Sequence, residues 1–189
     1  EENFIKDNLT FIDELKVRFS YGKLGDDQAA DSYPWVTGYN YPSSSYIIGG
    51  SDPTSGIGFR GAINPYITWY TSKMKNIGFE SVLWNNQLNV EFDLFRRDRD
   101  GLLGYRNLSL PSTIGVGLPQ ENLNSDQTSG FELVLGTQNK IGDFWYSVSA
   151  NLTYSQSKNE YIGRSPSNNS YLNWRQNGQD RYSDIWWGY

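Results

Sequence analysis

Two glutamates are the residues of this sequence best placed for acid–base chemistry. Glu80 and Glu91 lie on either side of Asn85-Asn86, a dipeptide that suits a tight turn, so a hairpin would hold the two carboxylates opposite each other. Paired carboxylates are the catalytic groups of glycosidases. The sequence has no histidine, the usual general base, and nothing indicates a cleft around the glutamates. We therefore predict that the protein is not an enzyme, has no catalytic residues and uses no cofactor.

Carboxylates also cluster in two segments with the oxygen ligands that Ca²⁺ prefers. One segment contains Asp98 and Asp100, and the other contains Asp26, Asp27 and Asp31. Arginines at positions 96, 97 and 99 offset the charge of the first group. The sequence contains no cysteine or histidine that could complete a transition-metal site. We predict no metal site.

An ion-pair cluster accounts better for the charged residues. Two glutamates opposed in a hairpin repel each other, so Glu80 and Glu91 need a counter-charge. Lys16 and Arg18 alternate with apolar residues on an earlier segment, and consecutive strands of an up-and-down sheet are neighbours. We predict that these two cations meet Glu80, Glu91 and Asp93 on one polar face.

The segments that carry these charges alternate apolar and polar residues, which predicts β-strands. Helical periodicity of useful length is absent. The predicted strands lie at about 15–21, 67–84, 87–99, 127–140 and 144–157. Tight turns at Asn85-Asn86 and Gly142-Asp143 join the second strand to the third and the fourth to the fifth. Long polar loops fill about 22–66, 104–126 and 158–189.

The alternation specifies the register of both hairpins. In the first, Phe79 faces Phe92; in the second, Leu133 faces Leu152. Each hairpin then has one apolar wall and one polar wall, and a one-residue shift would mix them. Predicted strands of this length can cross a bilayer when tilted, and alternating tight turns and long loops are typical of outer-membrane barrels.

Composition limits the class of protein. The 189 residues have a mean hydropathy of -0.64, and no run approaches the roughly 18 apolar residues of a membrane-spanning helix. A net charge of -5 and a pI near 4.7 disfavour nucleic acid as a partner. Five strands cannot close a bacterial barrel, which has an even number from about eight upward. We predict an all-β fold, an antiparallel arc of a larger transmembrane barrel; a soluble β-sandwich is the alternative.

Successive segments resemble motifs of the SusC/RagA-type TonB-dependent outer-membrane transporters of Bacteroidetes. Residues 11–27 (FIDELKVRFSYGKLGDD) resemble that family's LKLRASYGxxGND, and residues 64–70 (NPYITWY) resemble NPxLxWE, with Tyr70 in place of the acidic residue. Further similar segments follow in order: NIGFE at 76–80, WNNQL at 84–88, FDLFRRDRDGLL at 92–103, LPST at 110–113, GFEL at 130–133 and WYSVSANLTYSQS at 145–157.

The resemblance implies a barrel of about 22 strands with an N-terminal plug, which would lie outside residues 1–189. Members of that family import glycans or peptides across the outer membrane, using energy from the TonB complex, and a SusD-like surface lipoprotein covers the extracellular mouth. By this resemblance the chain is a multi-pass segment in contact with membrane lipid, and TonB would bind through the N-terminal region of the whole protein.

Aromatic residues, 16% of the sequence, are the candidates for cargo contacts. We predict ligand-binding roles for the loop residues Trp35, Tyr39, Tyr41, Trp174, Tyr182, Trp186 and Trp187. Trp84 and Trp145 flank the tight turns, where we predict that they anchor the barrel at the membrane interface. The alternative function is a soluble all-β carbohydrate-binding module, which would use the same loop aromatics but would not expose an apolar band.

Overall fold

A computed structural model describes residues 11–26, 35–43, 45–47, 49–50, 52–106, 113, 115–164 and 168–183. Five long strands and one short strand form an antiparallel sheet: β1 Ile12–Asp26, β6 Tyr70–Leu83, β7 Leu88–Tyr105, β8 Gln120–Ile141, β9 Phe144–Tyr161 and β10 Arg181–Tyr182. Their order in the sheet is β1-β6-β7-β8-β9-β10.

Short elements lie in the connections between the long strands. In the first connection β2 (Tyr39–Asn40) pairs with β5 (Gly58–Phe59), and β3 (Ser45–Ile47) pairs with β4 (Pro53–Ser55). The helix α1 (Ser170–Gln176) precedes β10, and the Asn169 side chain caps it by accepting from the backbone N–H of Tyr171 and Leu172.

Four of the five long strands extend beyond their predicted bounds, chiefly at the ends away from the tight turns, whereas β6 begins at Tyr70, three residues later than predicted. β8 has 22 residues, and the connection predicted at about 104–126 is reduced to residues 106–119. Similarly, β9 continues to Tyr161, into the loop predicted from about 158. Polar side chains on both faces of these strand ends remove the alternation of apolar and polar residues, so the sequence pattern does not mark them, although the backbone ladder continues.

The predicted register of both hairpins is confirmed. Phe79 lies opposite Phe92, and Leu133 lies opposite Leu152. The first turn is longer than predicted: it spans residues 84–87, and Trp84 adopts a positive φ of 55° as Asn85 and Asn86 do. The register survives because the flanking leucines, at positions 83 and 88, still oppose each other.

The sheet is a single layer without a hydrophobic core. In the part of the chain that the structure describes, no hydrophobic side chain is buried. Apolar side chains line one face, and aromatic rings cross four strands of it, with centroid distances of 5.4, 6.0 and 5.9 Å along the series Phe79, Phe92, Phe131 and Tyr154. An apolar band of this extent is far larger than soluble monomers expose. The sheet is an open arc of a larger barrel. The described helices include none that is long and apolar enough to cross a membrane.

We predict that the two faces of β7 respond differently to a charge. Phe92→Arg places a cation at mid-strand on the apolar face, where barrels lose roughly 2–4 kcal/mol. Asn89→Arg changes an exposed residue on the polar face of the same strand and is the matched control. The amount of folded, heat-modifiable full-length protein in outer-membrane fractions should fall for Phe92→Arg only. Equal losses would mean that the two faces are assigned wrongly.

Candidate functional site

Arg18 is the centre of an ion-pair cluster on the polar face of the sheet. Its Nη1 lies 3.0 Å from Glu80 Oε1. Its Nη2 lies 2.9 Å from Glu91 Oε1 and 2.8 Å from Asp93 Oδ2. Lys16 Nζ extends the cluster with a contact of 3.2 Å to Glu80 Oε2. The structure thus brings together all five side chains of the predicted charge cluster.

Strand register explains why these side chains meet. Lys16 lies opposite Glu80, which in turn lies opposite Glu91. In the next polar row, glycine separates the two charges: Arg18 lies opposite Gly78, and Gly78 lies opposite Asp93. The guanidinium can therefore reach across β6 to a carboxylate two strands away.

Gly78 is needed for this reach because a side chain there would occupy the space of the ion pair. A Cβ at residue 78 would clash with Asp93 Oδ1, lie 2.9 Å from Asp93 Cγ and lie 3.3 Å from Arg18 Nη2. The two side chains differ in exposure, 39% for Arg18 and 15% for Asp93. The cluster is therefore partly accessible to solvent.

The polar face keeps an excess of negative charge. Glu132 lies opposite Asp93 on β8 and adds a fourth carboxylate to the cluster's two cations, so the net charge is -2. Because Arg18 fills the space between the carboxylates, the arrangement suits electrostatic contact with a facing surface rather than proton transfer. Among the described residues, no three or more metal-ligating side chains converge on one point.

Sequence reasoning missed a second polar group, nearer the long connections. Tyr70 Oη donates a hydrogen bond of 2.6 Å to Asp26 Oδ2. Arg99 Nε donates to Asp126 Oδ1 at 2.7 Å. Tyr70 is the residue that departs from the acidic position of the resembled motif, and its hydroxyl lies beside an aspartate from another strand. No pattern in the sequence pairs residues 26 and 70.

Asparagine side chains fix the segment before β6 to its neighbours. Asn64 Nδ2 donates to the carbonyl of Gln120 at 2.9 Å. Asn122 Nδ2 donates to the carbonyls of Thr68 and Gly101, and Asn122 Oδ1 accepts from the Thr68 N–H. Just after the end of β7, Arg106 Nη2 donates to Oε2 of Glu121 on β8 at 2.8 Å, and this hydrogen bond raises the pKa of Arg106.

The predicted cargo-contact aromatics form two small groups on different connections. The ring of Tyr39 lies 6.0 Å from that of Phe59. Trp174 lies 6.1 Å from Tyr171, and the Arg181 guanidinium lies over its indole ring at 5.5 Å. The remaining described members are exposed on the surface: Trp35, Tyr41 and Tyr182. Trp186 and Trp187 lie outside the described residues.

The register contradicts the predicted membrane-interface position of Trp145. Trp145 pairs with Lys140 and shares the polar face with Asn151, whereas its neighbour Phe144 lies on the apolar face. Three successive aromatic residues, 144–146, occupy both faces, so residue type alone could not assign the face. Trp84 is exposed within the turn at 84–87, and its interface role stays a prediction.

Comparisons with known proteins match most of the chain. The family model for the TonB dependent receptor-like β-barrel matches residues 8–189. Two relatives from Formosa agariphila are TonB-dependent receptor P3, 30% identical over 163 residues, and TonB-dependent receptor P26, 29% identical over 162 residues. Each alignment covers 86% of this chain but only 15% and 16% of the respective relative, so the chain spans about one-sixth of their length.

Solved structures show the same fold. The RagAB peptide transporter aligns with a TM-score of 0.63 at 20% identity, covering 84% of this chain and 17% of that one. The RagAB peptide importer in its open-open state gives a TM-score of 0.63 at 21% identity, with the same coverage. At this identity the similarity shows the fold alone.

We predict that the ion-pair cluster depends on the missing side chain at residue 78. Gly78→Ala should lower the free energy of unfolding of the full-length receptor in detergent by about 1–3 kcal/mol, the usual cost of overpacking. Gly136→Ala is the control, because a Cβ there meets nothing closer than Asn89 Cβ at 4.0 Å on the same face. If both variants unfold at the same denaturant concentration, the Arg18–Asp93 pair does not need Gly78.

Proposed function

Because the chain belongs to the TonB dependent receptor-like β-barrel family, we propose that it forms part of the wall of a transporter that imports glycans or peptides with energy from TonB. The arc is part of an outer-membrane β-barrel. The observation that carries the proposal is the single-layer sheet, with an apolar band on one face and an ionic cluster on the other. Such a sheet suits a boundary between lipid and a wet lumen.

The polar face is suited to a hydrated interior. Charges that are half-exposed, as Arg18 is at 39%, remain stable only where water or a polar surface continues to solvate them. In a plugged barrel the excess of carboxylates would face the plug or the passing cargo. A basic surface on the plug or on the cargo would complement the net charge of -2 of the cluster around Arg18. The arc thus contributes electrostatics and shape to the pathway, and no chemical step.

The long connections carry the side chains proposed to contact cargo. In outer-membrane barrels the long loops are extracellular, so Trp35, Tyr39, Tyr41, Trp174 and Tyr182 would lie near the mouth. Flat aromatic rings present large faces to sugars or to peptide side chains at a low cost in conformational entropy. The RagAB structures are described as a peptide transporter and importer, which supports peptides; the exposed loop aromatics equally support glycans.

Two partners follow from this proposal. A SusD-like surface lipoprotein would cover the mouth formed by the long connections, and the TonB complex would supply energy through parts of the receptor beyond this arc. The relatives from Formosa are between five and six times as long as this chain, which leaves ample sequence for a plug and a TonB-contacting segment.

We predict that uptake through the full-length receptor needs energy. Cells that express the receptor with its lipoprotein should accumulate labelled oligosaccharides or oligopeptides that are too large to pass through porins. A protonophore should abolish this accumulation without lowering surface binding. Accumulation that persists in the presence of the protonophore would exclude active import.

We predict that the Tyr41 ring contributes to cargo binding. Its side chain is 73% exposed, so Tyr41→Ala should leave the melting temperature unchanged. Loss of one aromatic contact should weaken cargo affinity by about 0.5–1.5 kcal/mol, roughly two- to twelve-fold. Tyr41→Phe keeps the ring and should bind as the native receptor does. Unchanged affinity in Tyr41→Ala, measured by calorimetry, would remove Tyr41 from the proposed site.

A further inference from the structure

A belt of basic side chains lies on the outer face of the arc, directly beyond the apolar band. The last apolar row of this face, on the side of the long connections, is Phe19, Ile77, Leu94, Phe131 and Tyr154. The next outward row is Tyr21, Lys75, Arg96, Ser129 and Gln156. The row after that is Lys23, Lys73, Asp98, Gln127 and Lys158. These two rows hold five basic residues and one acidic residue, a net charge of +4 in a chain whose net charge is -5.

Two cross-strand pairs in the belt carry like charges. Lys75 lies directly opposite Arg96, and Lys23 lies directly opposite Lys73. Like charges placed in this way destabilise a sheet. Two successive rows with this arrangement require an anion close by, from the chain itself or from its surroundings.

The chain supplies only part of the required negative charge. Arg96 Nε pairs with Asp98 Oδ1 at 2.9 Å, and Lys73 Nζ pairs with Asp100 Oδ2 at 3.0 Å. Lys23 and Lys75 are both exposed, and neither forms an ion pair with any residue that the structure describes. The two lysines therefore keep their charge available to an external anion.

The position of the belt identifies the kind of anion. It faces outward, as the apolar band does, and it lies on the side of the long connections, which is extracellular in outer-membrane barrels. A charged group at this level meets the headgroups of the lipids whose chains cover the apolar band. Lysine and arginine at a membrane surface attract anionic lipid headgroups.

We propose that Lys23, Lys73, Lys75 and Arg96 form a binding site for the phosphate groups of a membrane lipid in the outer leaflet. The four residues lie on three adjacent strands, a width of about 10 Å at the usual strand spacing. Their two rows are separated by about 7 Å, the repeat of residues on one face. An area of this size accommodates one phosphorylated headgroup. The proposal rests on the apolar face being in contact with lipid, and it does not depend on which cargo is imported.

The test uses full-length receptor in detergent and native mass spectrometry, with lipid A, a glycolipid that carries two phosphates, as the ligand. The native receptor should retain bound lipid A on the order of tenfold better than lipid A treated with phosphatase. Inorganic phosphate at the same concentration should not displace the lipid. Equal retention of the two lipids, or displacement by inorganic phosphate, would overturn the proposal without any variant.

A matched pair of double variants locates the site. Lys23→Gln with Lys75→Gln removes two charges from the belt and should reduce lipid A binding on the order of tenfold. Lys140→Gln with Arg175→Gln removes the same charge from exposed residues at the tight-turn end of β8 and in α1, and should leave binding unchanged. Equal loss in both would indicate a general charge effect and would refute the site. Neither lipid-binding experiment depends on cargo uptake, so failure of the lipid site and failure of the proposed transport function can be told apart.

Discussion

Successive side chains of a strand point to opposite faces, and every other feature of this sheet depends on that alternation. It lets a single layer present lipid-compatible side chains on one face and charges on the other without any core between them. The same constraint makes register decisive, because a one-residue shift would bring Glu80 and Asp93 to the apolar face. The aromatic series from Phe79 to Tyr154 and the cluster around Arg18 are therefore two consequences of one set of backbone pairings.

The sequence was sufficient to predict the parts of the sheet in which one face is apolar and the other polar. There the alternation of residues predicted the strands, the register of the hairpins and the partners of Arg18. Where both faces are polar, as in β8 near Ser125, the alternation of apolar and polar residues is lost, and the strand was predicted too short: it begins at Gln120 rather than at about 127. The face of Trp145 was wrong for a related reason, since three consecutive aromatic residues carry no alternation. The contact of Tyr70 with Asp26 lacks any local signal, because it depends on where two distant strand ends meet.

Several glycines of the sheet leave space for atoms of a segment that is distant in the sequence. Gly78 leaves space for the reach of Arg18, and Gly25 leaves space for Trp69, whose Cδ1 would lie 2.8 Å from a Cβ at residue 25. A Cβ at Gly130 would clash with the backbone oxygen of Tyr154 and lie 2.7 Å from Cζ of Phe95, which lies opposite Gly130. In each case the space left by a missing side chain is occupied by atoms from another segment of the chain. Such pairs link segments that are distant in sequence, so the change of one member would leave a clash or a gap at the other.

The strands continue well past the apolar band, and this extension separates two kinds of charged surface. On the polar face, acidic residues exceed basic ones around Arg18, whereas the outer face beyond the band carries the basic belt. In a protein surrounded by water, both faces of a sheet meet the same environment, and nothing favours a different charge on each face. In a barrel wall, one face meets the lumen and the other meets lipid, so different charges are favoured on the two faces. On the outer face, the basic residues begin where the apolar residues end. The distribution of charge therefore fits the orientation in which the apolar face meets lipid and the polar face meets the lumen.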